Sequence, residues 1–377
     1  MILNNRIAKW KIIVILSIFV MSACLPNAHR RNSKRNNNND NSDTVYNSNT
    51  TARSSLDPGK IAIGALVSSG AGNIKDAATR LKAYQLLNVT YVRHGIFMNA
   101  WNGSNAFYNT LQNAGYKIIL NVAYLPQGAG PQPFPTNLEE YKRTLNDILS
   151  TYKPEVVVIE NEEYNPTYHT GTAQQYINEL KVAIEVAHSI GLKVTNGGLT
   201  ARVMTMMVWK DYRDRGLKAE ADNFARRTMS PDLLADLPEL TKHKSIANGV
   251  RQFNDLLEAY KNLDIDYINF HWYEPIGQRT NANARTAAHI DTKALGEAIE
   301  YIQRKTGKPV ITNEIGQFNQ SPDIVKDILE KCVELKLPYI IWYSGDGGEG
   351  KAVALTNLDG SMRENGRVFA DFVKQHQ

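Results

Sequence analysis

The sequence predicts a (β/α)8 barrel, from the number, order and character of its apolar segments. From Lys60 onward, strand-like apolar runs alternate regularly with amphipathic helical segments. Within each run apolar and polar residues do not alternate, as expected for strands that are buried on both faces of a parallel sheet. Eight such units fill residues 58–377, a length typical of a closed eight-stranded barrel.

Each predicted strand is a short run rich in Val, Ile and aromatic residues. The intervening segments, such as 138–152 and 321–336, show the apolar spacing of helices that pack on a core. No Gly-x-Gly-x-x-Gly fingerprint opens the first helix, which argues against an open dinucleotide-binding sheet. The predicted strands are 61–67, 89–95, 117–124, 155–162, 193–199, 266–273, 309–316 and 339–345.

The fifth βα unit departs from the regular spacing. Residues 200–265 separate the fifth and sixth predicted strands, which leaves room for two or three helices beyond the barrel minimum. Because this helical insertion begins at the carboxyl end of a strand, where barrel active sites lie, we expect it to border the mouth of the site. It would form a cleft wall or a partial lid, and the alternative is a set of helices outside the barrel.

The N-terminal region predicts a secreted and lipid-anchored protein. Three basic residues precede an apolar run from Ile12 to Met21, which is too short to span a bilayer easily and is typical of a signal peptide. Residues 21–24, Met-Ser-Ala-Cys, resemble the lipobox of bacterial lipoproteins, in which the cysteine is lipidated and becomes the mature N-terminus. We therefore predict a signal peptide at 1–23 and lipidation at Cys24. The alternative is an ordinary secretory signal.

Residues 24–57 predict a flexible tether. Asn and Ser dominate this segment, so it cannot bury enough apolar surface to offset the cost of ordering its backbone. It would hold one globular domain, residues 58–377, just off a membrane surface. In lipoproteins an Asp after the lipidated cysteine is associated with inner-membrane retention. Leu25 stands there instead, so we expect an outer-membrane or cell-surface location.

Charge and histidine spacing argue against several classes of partner. Of the formal charge of +5, residues 1–23 carry +3 and residues 24–57 carry +2, so 58–377 is neutral. A neutral globular region gives no support for nucleic-acid binding. Its seven histidines are scattered and no His-x-His occurs, so we expect no metal. No P-loop pattern is present, and we expect no other cofactor. Cys332 lies in a helical pattern and is expected to be a packing residue.

Two carboxylates at strand ends carry the main functional signal. Glu162 closes the fourth predicted strand and Glu314 lies in the seventh, each after an apolar β-branched run. Because the carboxyl ends of barrel strands converge on one site, the two side chains should lie near each other. A pair of carboxylates flanking one bond is what glycosidic cleavage requires. Glu160 and Glu163 are alternatives to Glu162, since side-chain alternation is unreliable where a chain leaves the sheet.

The other predicted strand ends supply polar and aromatic side chains. Such a mouth suits a sugar, whose hydroxyls need hydrogen bonds and whose CH face stacks on rings. Trp101 and Trp272 are either sugar platforms or packing residues, and Asn196 with its two following glycines predicts a backbone turn. The strand-end residues are Arg93, His94, Asn121, Tyr124, Asn161, Asn196, His271, Trp272, Tyr273, Asn313, Trp342 and Tyr343.

This set of residues resembles the pattern of glycoside hydrolase clan A, the superfamily of (β/α)8 retaining glycosidases with catalytic glutamates on strands four and seven. The resemblance covers about 58–377. It implies that Glu162 is the general acid/base and Glu314 the nucleophile, with carboxyl groups about 5–5.5 Å apart. The matching positions, in strand order, are Arg93, Asn161-Glu162, His271-x-Tyr273, Glu314 and Trp342.

The resemblance also implies roles for the residues around the two glutamates. Asn161 would bind the sugar 2-hydroxyl, while Arg93 and Tyr273 would orient Glu314 and keep it ionised. His271 would join that network, or serve as a structural histidine, and Trp342 would lie under the sugar. We therefore expect a monomeric retaining hydrolase of a β-linked oligo- or polysaccharide. The alternative is a catalytically inactive surface lipoprotein that binds glycans.

Overall fold

The structure, a computed structural model, describes the chain from residue 59 onward with several internal gaps. The described residues are 59–70, 73–125, 130–229, 234–235, 237, 239, 242, 244–276, 290–346 and 353–376. The predicted signal peptide, the tether and Cys24 lie outside them. Within these ranges, no helix has both the length and the apolar character needed to cross a bilayer.

A nine-stranded parallel sheet forms a nearly closed barrel. The strand order is β5-β4-β3-β2-β1-β9-β8-β7-β6, and a bridge between Thr195 and Tyr267 brings β5 against the start of β7. The predicted (β/α)8 barrel is therefore confirmed, with β7, β8 and β9 as the sixth, seventh and eighth predicted strands. The strands are β1 Ala62–Val67, β2 Tyr91–Phe97, β3 Lys117–Ala123, β4 Val156–Ile159, β5 Lys193–Asn196, β6 Leu199–Thr200, β7 Ile268–Glu274, β8 Val310–Gln317 and β9 Tyr339–Ser344.

Amphipathic helices pack their apolar faces against the outside of the sheet and enclose the main core. Their starts follow local capping rules. Thr172 and Gln175 form a capping box on α4, for example, and Ser321 caps α9 ahead of Pro322. The helices are α1 Ala77–Leu86, α2 Ala106–Asn113, α3 Leu138–Tyr152, α4 Ala173–Ser189, α5 Ala201–Asp214, α6 Lys218–Thr228, α7 Lys244–Asn262, α8 Lys293–Thr306, α9 Pro322–Glu334 and α10 Glu364–His376.

The fifth predicted strand is divided in two at Gly197 and Gly198. A Cβ atom at Gly197 would lie 2.8 Å from the carbonyl oxygen of Ile159, so the chain passes β4 where only glycine fits. The helices α5, α6 and α7 then occupy much of the segment before β7. That this segment forms a wall or lid at the mouth stays a prediction.

Three tyrosine rings fill the barrel axis at the amino ends of the strands. Tyr339 meets Tyr91 and Tyr267 edge-on, with ring centroids 6.0 and 5.7 Å apart. Each hydroxyl is bonded: Lys117 Nζ lies 3.2 Å from Tyr91, Lys193 Nζ lies 2.7 Å from Tyr267, and Tyr339 donates to Glu155 at 2.9 Å. Edge-to-face rings add stabilisation beyond their buried area, so this tyrosine floor closes the lower end of the barrel.

The tyrosine floor predicts how much Tyr339 contributes to stability. Tyr339→Ala should lower the free energy of unfolding by about 3–5 kcal/mol, since it leaves a cavity between two rings. Tyr339→Phe keeps the ring and loses only the hydroxyl bond, at a cost of about 1 kcal/mol. Urea unfolding of both variants measures the difference, and equal losses would contradict a role for the ring packing.

Candidate active site

The backbone coils sharply where β4 ends. The strand stops at Ile159, and both Glu160 and Glu162 take left-handed conformations, with φ of 62° and 50°. Such conformations cost non-glycine residues on the order of 1–3 kcal/mol each and tend to cluster at functional sites. As a result, the three neighbouring glutamates of this segment point into three different surroundings.

Of these three glutamates, Glu162 is the one at the mouth of the barrel. Its Oε1 lies 3.1 Å from His271 Nδ1, and its Oε2 accepts a hydrogen bond from Asn165 Nδ2 at 2.5 Å. Its side chain keeps 14% of its surface exposed. The structure therefore places Glu162 within reach of both solvent and the β7–β8 side of the barrel.

Glu160 and Glu163, the alternatives to Glu162, are both buried and engaged elsewhere. Glu160 accepts the backbone N–H of Tyr124 at 2.6 Å. Glu163 accepts bonds from Asn196 Nδ2 at 2.9 Å and from the Tyr260 hydroxyl. Both carboxylates therefore hold β4 to its neighbours and do not face a substrate.

An extra residue in β8 brings Glu314 into the site. Between the pairs Asn269–Ile311 and His271–Glu314, β8 advances three residues while β7 advances two. The same shift occurs against β9, where Thr312 pairs with Ile340 and Ile315 with Trp342. A bulge of this kind re-aims a side chain, and here it lets both Asn313 and Glu314 meet polar partners in the barrel.

The carboxylate of Glu314 is held by two donors. Arg93 Nη1 donates to Oε2, and the Tyr273 hydroxyl donates to Oε1 at 2.6 Å. Burial raises the pKa of Glu314, but the positive charges of His271 and Arg93 and the two hydrogen bonds outweigh it, so the net pKa is lowered. Glu314 is therefore ionised at neutral pH.

Arg93 links several parts of the site. Its guanidinium is buried, and Nη2 donates to Asn121 Oδ1 at 2.9 Å and to Asn161 Oδ1 at 2.8 Å. The carbonyl oxygen of Asn161 lies 3.0 Å from His169 Nε2, and the His169 ring stacks on a phenylalanine. The structure thus brings Arg93, Asn161, Glu162, His271, Tyr273 and Glu314 together in one group.

His271 lies between the two carboxylates. Its Nδ1 is 3.1 Å from Glu162 and 3.8 Å from Glu314. Burial lowers the pKa of His271, but the charge of Glu314 and the hydrogen bond and charge of Glu162 outweigh it, so the net pKa is raised. One ligand atom from each residue lies within 4.8 Å of the other two, a spacing that could surround a cation. The positive charge of Arg93, which is bound to Glu314, opposes a cation at this position. Glu162, His271 and Glu314 are therefore better suited to sharing protons.

Trp342 does not join this group. Its side chain is fully buried on the outer face of β9, 5.9 Å from the ring of Phe369 in α10. The prediction that it lies under the sugar is therefore wrong, because side chains alternate along β9. Its neighbour Tyr343 points the other way, with its ring 6.0 Å from that of Tyr273. Trp272 is likewise a packing residue, donating from Nε1 to Glu274 at 2.6 Å.

Sequence reasoning missed Asn165 and Tyr168, which follow Glu162 in the loop after β4. Asn165 holds Glu162 through its side chain and accepts backbone bonds from Tyr168 and His169. Burial raises the pKa of Tyr168, and the charges of Glu162 and Glu314 raise it further. Neither residue lies at a strand end, so no periodicity could have marked them.

Gly198 packs directly against the ring of His271. Its φ is +127°, and a Cβ atom there would lie 2.3 Å from His271 Nε2. The imidazole therefore packs directly on the backbone, and any side chain at this position would displace the ring. The sequence predicted a turn at this position, but its contact with a histidine on β7 is a tertiary feature.

Comparison with known proteins identifies the fold. No protein-family model matches this chain, and no curated protein does. The chain is similar to the solved structure of a beta-glycosidase, with a TM-score of 0.51 and 14% identity over 79% of this chain and 86% of the other. A family 5 xyloglucanase from Paenibacillus pabuli gives the same TM-score and identity over 84% and 99%. A glucosidase from Croceicoccus marinus aligns with a TM-score of 0.50 at 11% identity, over 78% and 63%. At such identities the likeness shows a shared barrel fold.

The contact between Gly198 and His271 predicts a specific loss. Gly198→Ala should lower the free energy of unfolding by about 1–3 kcal/mol, since the methyl group overlaps the imidazole and the backbone conformation is strained. The matched control is Gly249→Ala in α7, where a Cβ atom meets nothing within 4 Å. It should be neutral or stabilising by about 0.5–1 kcal/mol. Urea unfolding compares the two, and equal effects would contradict the packing described.

The buried Glu160 predicts a pH dependence of stability. Burial, with the charge of Glu163 adding to it, raises the pKa of Glu160 from 4.5 to about 7. The folded state therefore binds this proton more tightly than the unfolded state does. The contribution of protonated Glu160 to the free energy of unfolding is fully present below pH 4.5 and is lost as the pH rises through 7. Glu160→Gln should flatten the fall in unfolding free energy between pH 5 and pH 8 by a few kcal/mol.

The control for this experiment is Glu139→Gln, which changes an exposed carboxylate at the start of α3. Chemical unfolding at several pH values measures both variants beside the unchanged protein. The same slope in all three proteins would show that Glu160 does not carry the pH dependence.

Proposed function

We propose that this protein is a retaining glycoside hydrolase, with Glu162 as general acid/base and Glu314 as nucleophile. The observation that carries the proposal is a pair of carboxylates in contrasting surroundings at the mouth of one barrel. Glu314 is held ionised by Arg93 and Tyr273, while the partners of Glu162 are the imidazole of His271 and the amide of Asn165. An oxygen of one lies within 4.8 Å of an oxygen of the other. This favours the narrow carboxyl spacing of retaining enzymes over the 6.5–9.5 Å typical of inverting ones.

The proposed reaction follows from these positions. Glu314 attacks the anomeric carbon while the glycosidic C–O bond breaks and Glu162 gives its proton to the leaving oxygen. A water molecule then attacks the same carbon, Glu162 takes a proton from it, and the ester bond to Glu314 breaks. Arg93 and Tyr273 would stabilise the carboxylate as it leaves, and Asn161, fixed by Arg93, would bind the 2-hydroxyl.

For the substrate we propose a β-linked oligo- or polysaccharide. Support comes from the fold, which is shared with proteins described as a beta-glycosidase and a xyloglucanase. The tyrosines at the mouth, Tyr168 and Tyr343, would contact the apolar face of a sugar ring. We further propose that lipidated Cys24 and the tether 24–57 hold a monomeric enzyme at the cell envelope.

The proposed roles predict the activities of two isosteric variants. Glu314→Gln should abolish hydrolysis, because an amide cannot form the ester intermediate. Glu162→Gln should lower kcat by about 10²–10⁴-fold on glycans. The loss in the first step should be smaller on aryl glycosides whose leaving groups need no protonation. Reducing-sugar release from a panel of β-glycans and aryl glycosides measures both, with Glu139→Gln as the control that retains full activity.

The stereochemistry of the product completes the test. Proton NMR of the first sugar released should show the same anomeric configuration as the substrate. Activity that survives Glu314→Gln, or an inverted first product, would contradict the double displacement. Glycan binding without hydrolysis across the whole panel would favour the alternative of an inactive binding lipoprotein.

A further inference from the structure

A buried pair of asparagines lies beneath the two carboxylates, and its orientation is fixed by the backbone. Asn269 Oδ1 accepts the backbone N–H of Asn313 at 2.8 Å. A backbone N–H can only donate, so the oxygen of this amide must be on that side. Asn269 Nδ2 therefore faces the Asn313 side chain, at 2.7 Å, and also meets the carbonyl oxygen of Asn196 at 3.3 Å.

This orientation determines that of Asn313. Because Asn269 presents N–H groups to it, the atom of Asn313 in that contact must be the oxygen, Oδ1. The Nδ2 group of Asn313 is buried and has no hydrogen-bond partner among the residues that the structure describes. That orphan donor is a cost of the orientation, since reversing the amide would place N–H groups against each other.

The oxygen of Asn313 in turn determines the state of His271. Oδ1 lies 2.8 Å from His271 Nε2, and an oxygen acceptor there requires that Nε2 carry a proton. In the neutral ring Nδ1 is then an acceptor, and it lies 3.1 Å from Glu162 Oε1. All three side chains in this series, Asn269, Asn313 and His271, are buried, so water cannot easily replace these contacts.

We propose that Asn269 and Asn313 are positioning residues that hold His271 as its Nε2–H tautomer, so that Nδ1 and Glu162 share one proton. This use of the pair in catalysis rests on the proposed function. The proton bound to Oε1 moves to Nδ1, its O–H electron pair stays on oxygen, and the pair becomes carboxylate and imidazolium with no change in total charge. When Glu162 takes a proton from water, the pair regains the proton that it gave to the leaving group.

The charges around His271 suit this sharing. Glu162 and Glu314 face the ring from the end of β4 and from β8, and both favour its protonated form. Arg93 on β2 opposes protonation, and Glu163 also interacts with the ring's charge. The ring therefore lies between two carboxylates and one guanidinium, so that neither protonation state is strongly excluded.

Nitrogen NMR of the full-length protein with 15N-labelled histidine tests the tautomer directly, because the shift separates protonated from unprotonated ring nitrogens. The His271 signals are those missing in His271→Gln. We expect neutral His271 to carry its proton on Nε2. Asn313→Leu, which removes the acceptor, should move the proton to Nδ1. Asn313→Asp keeps an acceptor and adds a charge, so it should retain Nε2–H and raise the pH of titration by about 1 unit or more.

The buried histidines His94 and His169 are internal references, and their signals should stay unchanged in both variants. An Nδ1–H tautomer in the unchanged protein would overturn the proposal, as would an unaltered tautomer in Asn313→Leu. The measurement on the unchanged protein decides even where a variant fails to fold. Because it needs no substrate, an Nε2–H tautomer in a protein that hydrolyses no glycan would overturn the proposed function alone.

Discussion

The site depends on one buried positive charge, the guanidinium of Arg93. A charge of this kind is costly to bury unless every face of it is met, and here Glu314, Asn121, Asn161 and the Asn313 carbonyl oxygen do so. These partners come from β3, from the end of β4 and from β8, and Arg93 itself is on β2. Satisfying one side chain thus fixes the relative positions of four strands at the end where the glutamates meet.

The contrast between the two carboxylates follows from this arrangement. Glu314 accepts hydrogen bonds from the guanidinium of Arg93 and the hydroxyl of Tyr273, so its negative charge is compensated inside the barrel. Glu162 lies on a left-handed turn of backbone, and its partners are an amide and an imidazole. The environment, not the residue type, therefore distinguishes the two carboxylates.

The fold and most of the site could be predicted from the sequence because both rest on short-range patterns. Strand character, βα alternation and polar residues at strand ends are visible in the chain itself. From the longer list of strand-end residues, the resemblance to a known family selected Arg93, Asn161, Glu162, His271, Tyr273 and Glu314. Trp342 was placed on the wrong face, since the residue facing the mouth at the end of a strand depends on one position of register. Three features depend on segments that are distant in the sequence or on irregular backbone, so no local pattern predicts them. They are the bulge in β8, the contact of Gly198 with His271 and the contact of Asn165 with Glu162.

The tyrosine floor has a consequence for exchange with solvent. Three rings packed edge-on fill the barrel at the amino ends of its strands, so Asn269, Asn313 and His271 lie between these rings and the mouth. A ligand bound in that mouth would cover the opening. The protonation state of the site when the ligand arrives would then be the state in which the first step begins, and the water of the second step would have to enter by the same opening.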